Sequence, residues 1–201
     1  MKIICIGKNY LEHAKEMGDI APEKPIFFLK PDSAILPKRN PFYIPNFSNE
    51  VHHEVELIIK IKKLGKCINL NFAKEYYSEI GLGIDFTARD IQKKCKEKGH
   101  PWEISKAFDQ SAVISDSFID INSLSDINFH LDKNGKTVQK SNIKDMIFSI
   151  DEIIHYVSKY MTLKIGDLIF TGTPSGVGPV NIGDRLEGFI NDKKMFTVNI
   201  K

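Results

Sequence analysis

Apolar positions along the chain fall mainly into short runs, with few long helical stripes. Runs at Ile3 to Ile6, Ile26 to Leu29, Val55 to Ile61, Ile80 to Ile84, Asp126 to Leu131, Leu168 to Thr171, Arg185 to Ile190 and Met195 to Ile200 carry the β-branched and aromatic residues of strands. Three segments read as helices. In 149–161, Ser149 and Glu152 have capping-box spacing, and Ile153, Ile154, Val157 and Met161 form an apolar stripe. The segment NYLEHAKEMG is a short helix stopped by Gly18. A third helix follows Asp85, with Thr87 and Asp90 as its capping pair. Strands predominate without regular alternation, which predicts an α+β fold: a curled, mixed, mostly antiparallel sheet with peripheral helices. No low-complexity linker, long-period repeat or shift in composition divides the chain, so one domain is expected over residues 1–201.

Composition narrows the function classes. The 201 residues are 42% hydrophobic, enough for a substantial core. The 28 basic and 26 acidic residues are interspersed and net only +2, so nucleic acid is not an expected partner. No apolar run reaches the ~18 residues of a membrane span, and the start MKIICIG leads straight into a strand; a cytoplasmic protein is expected. Cys5, Cys67 and Cys95 show no paired spacing and are read as buried thiols.

Candidate chemistry begins at HHEVELIIKI, residues 52–61. Alternation puts Val55, Leu57, Ile59 and Ile61 on a core face, and Glu54 and Glu56 together on the other, roughly 6 to 7 Å apart along the strand. Two like charges there would suit a bound cation, or would guard a solvated edge strand. Asp85 ends an apolar strand just before a helix and supplies a third carboxylate. Three carboxylates suit a hard cation such as Mg²⁺ that keeps places for water or substrate. Arg89 and Gln92, three apart, share a helix face, as do His13 and Glu16. The loop FTGTPSGVGP, 170–179, lacks GK[ST] and a following helix, which excludes a nucleotide P-loop. Its backbone N–H groups could instead hold a carboxylate.

The blocks GKNYLEHAKEM, FFLKPDSAI, HHEVEL, GIDFTARDIQ, PWEISKAFD, DMIFSIDEII and GDLIFTGTPSGVGPV occur in an order that resembles the fumarylacetoacetate hydrolase family. The likeness is strongest to its small single-domain acylpyruvate hydrolase and oxaloacetate decarboxylase branch. That resemblance implies a Mg²⁺ or Mn²⁺ site at Glu54, Glu56 and Asp85. It also implies that Lys106 steadies negative charge on substrate oxygen, and that His13 and Glu16 form a water-activating dyad on a mobile lid over residues 8–22. Thr173 would seat a substrate carboxylate, with Arg89 and Gln92 as further substrate contacts. Lys8 stands where arginine is frequent, and Asp32 where a small hydroxyl residue is frequent.

The activity implied is cleavage of a C–C bond in a small 2-oxo acid through a pyruvate enolate held at the cation, by acylpyruvate hydrolysis, oxaloacetate decarboxylation or both. The alternatives are an isomerase, decarboxylase or hydratase of unsaturated 2-oxo diacids from aromatic-compound breakdown, and a metal-binding protein without activity. A homodimer is the assembly implied.

Overall fold

The computed structural model describes residues 1–201. In chain order its strands and helices are β1 (Ile3–Gly7), α1 (Leu11–Glu16), β2 (Ile26–Lys30), β3 (Val51–His53), β4 (Val55–Ile61), β5 (Tyr77–Asp85), β6 (Thr87–Ala88), α2 (Arg89–Lys98) and α3 (Glu103–Lys106). There follow β7 (Ala112–Ile114), β8 (Ile119–Asp120), β9 (Asn128–Lys133), β10 (Lys136–Asn142), α4 (Ile150–Tyr160), β11 (Leu168–Phe170), β12 (Gly178–Pro179), β13 (Arg185–Ile190) and β14 (Lys193–Asn199).

A seven-stranded sheet runs β2-β1-β11-β4-β5-β7, with β8 also on β5. Only β1 and β11 in it are parallel; the other pairs are antiparallel. A four-stranded sheet, β10-β9-β13-β14, and a three-stranded one, β12-β3-β6, complete the fold. The expected α+β class with a mixed, mostly antiparallel sheet is what the chain forms. Val55, Leu57, Ile59 and Ile61 of β4 enter the main core with Ile4, Ile6, Leu82, Phe129 and the buried stripe of α4. On the opposite face Ile58 packs with Ile3, Cys5, Leu168 and Phe170 in a second cluster. Strand β4 lies between β11 and β5, so it is an interior strand covered on both faces, and the edge-guard reading of its glutamates fails.

Helix α4 starts where the capping box places it: the Ser149 side chain accepts from Glu152 N–H, and the Glu152 carboxylate from Ser149 N–H. The Thr87–Asp90 cap does not form. Thr87 is held in strand β6 opposite His52, and the Asp90 carboxylate accepts from Ser48 Oγ at 2.6 Å and Asn49 N–H at 3.1 Å. Cys67 is exposed, unlike Cys5 and Cys95, because it sits in a surface turn at φ 52°. The strand expected at Asp126 begins two residues later. Strand β10 was not anticipated, although the Asn134-Gly135 turn that joins it to β9, with φ 54° and 76°, is a strong hairpin signal.

Two features of this framework shape the site. Antiparallel pairing of β4 with β5 sets Glu56 opposite Gly83, and Asp85 N–H donates to the Glu54 carbonyl at 2.8 Å, so the start of β4 meets the end of β5. The register of β10 on β9 shifts between Thr137 and Gln139. This bulge turns Gln139 inward, where it is 1% exposed.

Candidate active site

The convergence of β4 with β5 brings oxygens of Glu54, Glu56 and Asp85 within 4.8 Å of one another, all three buried. Their surroundings are cationic. Lys106, at the end of α3, donates to Glu54 Oε2 at 2.7 Å, Asp85 Oδ2 at 2.8 Å and Thr87 Oγ1 at 2.6 Å. Arg89 donates through Nη2 to Glu54 Oε1 and through Nη1 to Gln92 Oε1. Glu56 receives Gly172 N–H at 2.7 Å.

Burial acts against ionised Glu54, yet Lys106 and Arg89 hold its carboxyl well below the usual range. Glu56 goes the other way: burial, then the charges of Asp85 and Glu54, push it well above. Burial likewise opposes the Lys106 ammonium, but Asp85 and Glu54 raise its pKa. Asp85 Oδ1 accepts no hydrogen bond although it is fully buried; Lys30 Nζ is an ion-pair neighbour at 2.7 Å without bonding geometry. A buried carboxylate oxygen with an open lone pair, beside two further carboxylates, is the donor set of a hard divalent cation. The trio fits such an ion.

Lys30 carried no sequence signal beyond its place at the end of a strand. Its ammonium is buried and donates to the Lys106 carbonyl and to Ser111 Oγ, the latter at 2.8 Å, tying Asp85 to the turn that presents Lys106. Removing one partner of a buried ionic network leaves the others uncompensated. Lys30→Met should therefore lower unfolding stability by about 3 to 5 kcal/mol, read by urea denaturation without added metal. A loss under ~1 kcal/mol would show that Lys106 and Arg89 suffice.

His13 Nδ1 lies 3.0 Å from Glu16 Oε2, so the two side chains meet on one helix face, with Nε2 as the other ring nitrogen. Glu16 Oε1 in turn accepts Gly176 N–H at 3.0 Å. The glycine-rich loop thus holds carboxylates as its composition suggested, but they are the protein's own: Glu56 at Gly172 and Glu16 at Gly176. Gly176, at φ +95°, could not carry a Cβ, which would meet the Val138 carbonyl at 2.2 Å.

Thr173 Oγ1 accepts from Gln139 Nε2 at 2.8 Å, and Pro174 O at 2.9 Å; the Thr173 hydroxyl proton is left to donate elsewhere. Gln139 Oε1 accepts Val55 N–H at 3.0 Å and contacts His53 Nδ1 at 2.9 Å. Burial pushes the His53 pKa down, while the amide oxygen, an acceptor, requires only that Nδ1 carry a proton. Gln139 went unrecognised in the sequence because its strand did.

One cavity gathers His13, Glu54, Glu56, Asp85, Arg89, Gln92, Lys106 and Thr173, with Lys8, Asp19, Lys96, Phe28 and Trp102 also in its wall. Of the residues read as site residues only Glu16 is outside the lining, one bond behind His13. Asp32 is exposed and does not line this cavity. The cavity volume beside the trio is about 30 Å³, room for an ion and a water.

Residues 2–201 match the family profile described as fumarylacetoacetate (FAA) hydrolase C-terminal. The mitochondrial oxaloacetate decarboxylase of Dictyostelium discoideum is 46% identical, over 92% of this chain and 87% of that protein. The mitochondrial oxaloacetate tautomerase FAHD1 of Bos taurus is 41% identical, over 94% and 86%. Among solved structures, fumarylpyruvate hydrolase from Pseudomonas aeruginosa, in complex with Mn²⁺ and pyruvate, superposes with a TM-score of 0.93 at 37% identity, covering 100% of this chain and 89% of that one.

Proposed function

The chain belongs to the fumarylacetoacetate hydrolase family, and from that premise we propose that it is a divalent-cation-dependent enzyme that draws an enolate from a small 2-oxo acid. The carrying observation is one buried cavity holding a carboxylate trio, a lysine bonded to two of its members, and a His–Glu dyad. Relatives named for oxaloacetate and fumarylpyruvate support the substrate class, and the Mn²⁺ in the Pseudomonas structure supports a divalent ion. Glu54, Glu56 and Asp85 would hold that ion, Mg²⁺ or Mn²⁺. When bound, it supplies Lewis-acid polarisation of the 2-oxo carbonyl.

The remaining chemistry belongs to side chains. The Lys106 ammonium stands where negative charge grows on substrate oxygen, and a charge fixed in a dry site needs little reorganisation to stabilise it. The Thr173 hydroxyl, already accepting from Gln139, donates to the substrate carboxylate. Arg89 and Gln92, bonded to each other, bound the same space. Glu16 fixes the Nδ1–H tautomer of His13, which leaves Nε2 to take a proton. Taken from water, that proton yields a nucleophile for an acyl group attached at C3. Decarboxylation of oxaloacetate needs no nucleophile and passes through the same enolate. A second reading, keto–enol tautomerisation, requires the same nitrogen only to move a proton at C3; burial of His13 at 7% exposure and the tautomerase relative favour it.

Residues 8–22 serve as the lid in this proposal, because α1 carries His13 into the wall of the cavity that holds the trio. A single catalytic domain acting as a homodimer completes the reading. The test is a screen of acylpyruvates, fumarylpyruvate and oxaloacetate for pyruvate release, with enol absorbance followed in parallel, each with and without Mg²⁺ or Mn²⁺. Cation-dependent turnover of at least one is expected. No turnover of any would remove the enzymatic reading in favour of a metal-binding role.

A further inference from the structure

The cavity wall also contains a carboxylate that the proposed chemistry does not use. Asp19, just past α1, places Oδ1 at 3.0 Å from Lys8 Nζ and Oδ2 at 2.8 Å from Lys96 Nζ. The three residues come from the end of β1, the turn after α1, and α2, and all line the cavity that contains the trio. Lys96 also stands 5.9 Å over the Trp102 ring, and Lys8 holds a left-handed backbone at φ 58°, an uncommon conformation for a residue with a side chain. Both lysines are partly exposed, 22% and 28% at the side chain, so they reach cavity and solvent. Each oxygen of one carboxylate thus takes its own ammonium, in the wall of the cavity that also holds the trio.

We infer that Lys8 and Lys96 form a subsite for the distal carboxylate of a 2-oxo diacid, and that Asp19 is an internal competitor for it. The inference deepens, and rests on, the proposed action on a 2-oxo acid. Asp19 lies near the far end of the lid segment and Lys8 at its first residue, so opening the lid parts the carboxylate from Lys96 on α2 and frees that ammonium as substrate enters. A substrate ending in a methyl group offers no replacement; one ending in a carboxylate does. Diacids are selected by this exchange, and Asp19 sets the threshold because it competes for the same two cations.

The competing explanation is that Asp19 is a strut tying the lid to α2. The two predict opposite patterns. L-malate and 2-hydroxybutyrate share a four-carbon 2-hydroxy acid skeleton and differ only in the distal group, so their affinity ratio with Mn²⁺ present, measured by calorimetry, isolates the subsite without chemistry. Lys96→Met should lower the preference for malate by about 10- to 100-fold, the loss of one charged hydrogen bond, and Lys96→Arg should largely restore it. Asp19→Asn should raise that preference by about three- to tenfold, because the internal competitor is gone. The oxaloacetate to acetylpyruvate ratio of kcat/KM should move in step.

A strut would make Asp19→Asn and Lys96→Met act in the same direction on both acids, and that result, or no binding of either acid with Mn²⁺, overturns the inference. Malate selectivity with this pattern, in a protein that turns over no 2-oxo acid, would uphold the subsite and remove the proposed activity.

Discussion

Asp85→Asn is expected to weaken binding of Mg²⁺ and Mn²⁺ by about two orders of magnitude or more, and to bring turnover of any 2-oxo acid close to background. The change keeps shape and removes charge, and hard-cation affinity follows the number of anionic ligands. Asp85 accepts from Lys106 through Oδ2 and has Lys30 beside Oδ1, but Oδ1 accepts no hydrogen bond and so has a lone pair to offer a cation. Lys106 and Lys30 would also face a neutral amide, so some affinity is lost through reorientation of the lysines. Calorimetric titration of the two ions into parent and variant decides it. Unchanged affinity would take Asp85 out of the ligand set and leave its contacts to two lysines as its whole role.

His13→Ala separates binding from proton transfer. Oxalate is a planar dianion that resembles the enolate of pyruvate, so a site complementary to that enolate should bind it, and only with a divalent ion present. The variant should keep most of that affinity, because the imidazole bonds Glu16 and makes no hydrogen bond to the trio. Hydrolysis of an acylpyruvate should fall by roughly 10² to 10⁴, as expected on losing a general base. Decarboxylation of oxaloacetate, which requires no activated water, should fall less. Hydrolysis at the parental rate would remove the dyad from the chemistry. Equal oxalate affinity with the ion chelated would mean that the inhibitor binds elsewhere, for instance between Lys8 and Lys96.

The parts of this site that were legible in the sequence share one property: their positions follow from local periodicity. Glu54 and Glu56 alternate with a core face, Asp85 terminates an apolar strand, and the pairs His13–Glu16 and Arg89–Gln92 are one helical turn apart. Each of these reappears as a side-chain contact or a shared cavity wall. That Glu54 and Glu56 are ligand candidates and not edge guards depends on β4 lying between β11 and β5, and strand order is a long-range property. Lys30 and Lys106 illustrate the same limit. Both are lysines in ordinary contexts, and their burial arises because β2, α3 and the end of β5 meet; Lys106 was singled out only through the family resemblance.

The misread helix cap has a related cause. Thr87 and Asp90 had the right spacing, but β6 pairing and the contacts of Asp90 to Ser48 and Asn49 outcompeted a local bond worth about 1 kcal/mol. Strand β10, KTVQKSN, is almost wholly polar and carries no apolar alternation, so neither the strand nor its inward Gln139 stands out in the sequence.

The bulge in β10 gives this hairpin an asymmetric tolerance to sequence change. Because side chains alternate across a strand, the single extra residue near Val138 is what puts Gln139 on the inner side, where one amide joins the strand carrying Glu54 and Glu56 to the loop carrying Thr173. Exchanging Val138 for another β-branched residue preserves that parity. Losing one codon there would reverse it, turning the amide outward and leaving Val55 N–H and the Thr173 hydroxyl without their shared partner, with no ligand residue altered. In this hairpin, the length of the chain is under tighter constraint than the identity of its residues.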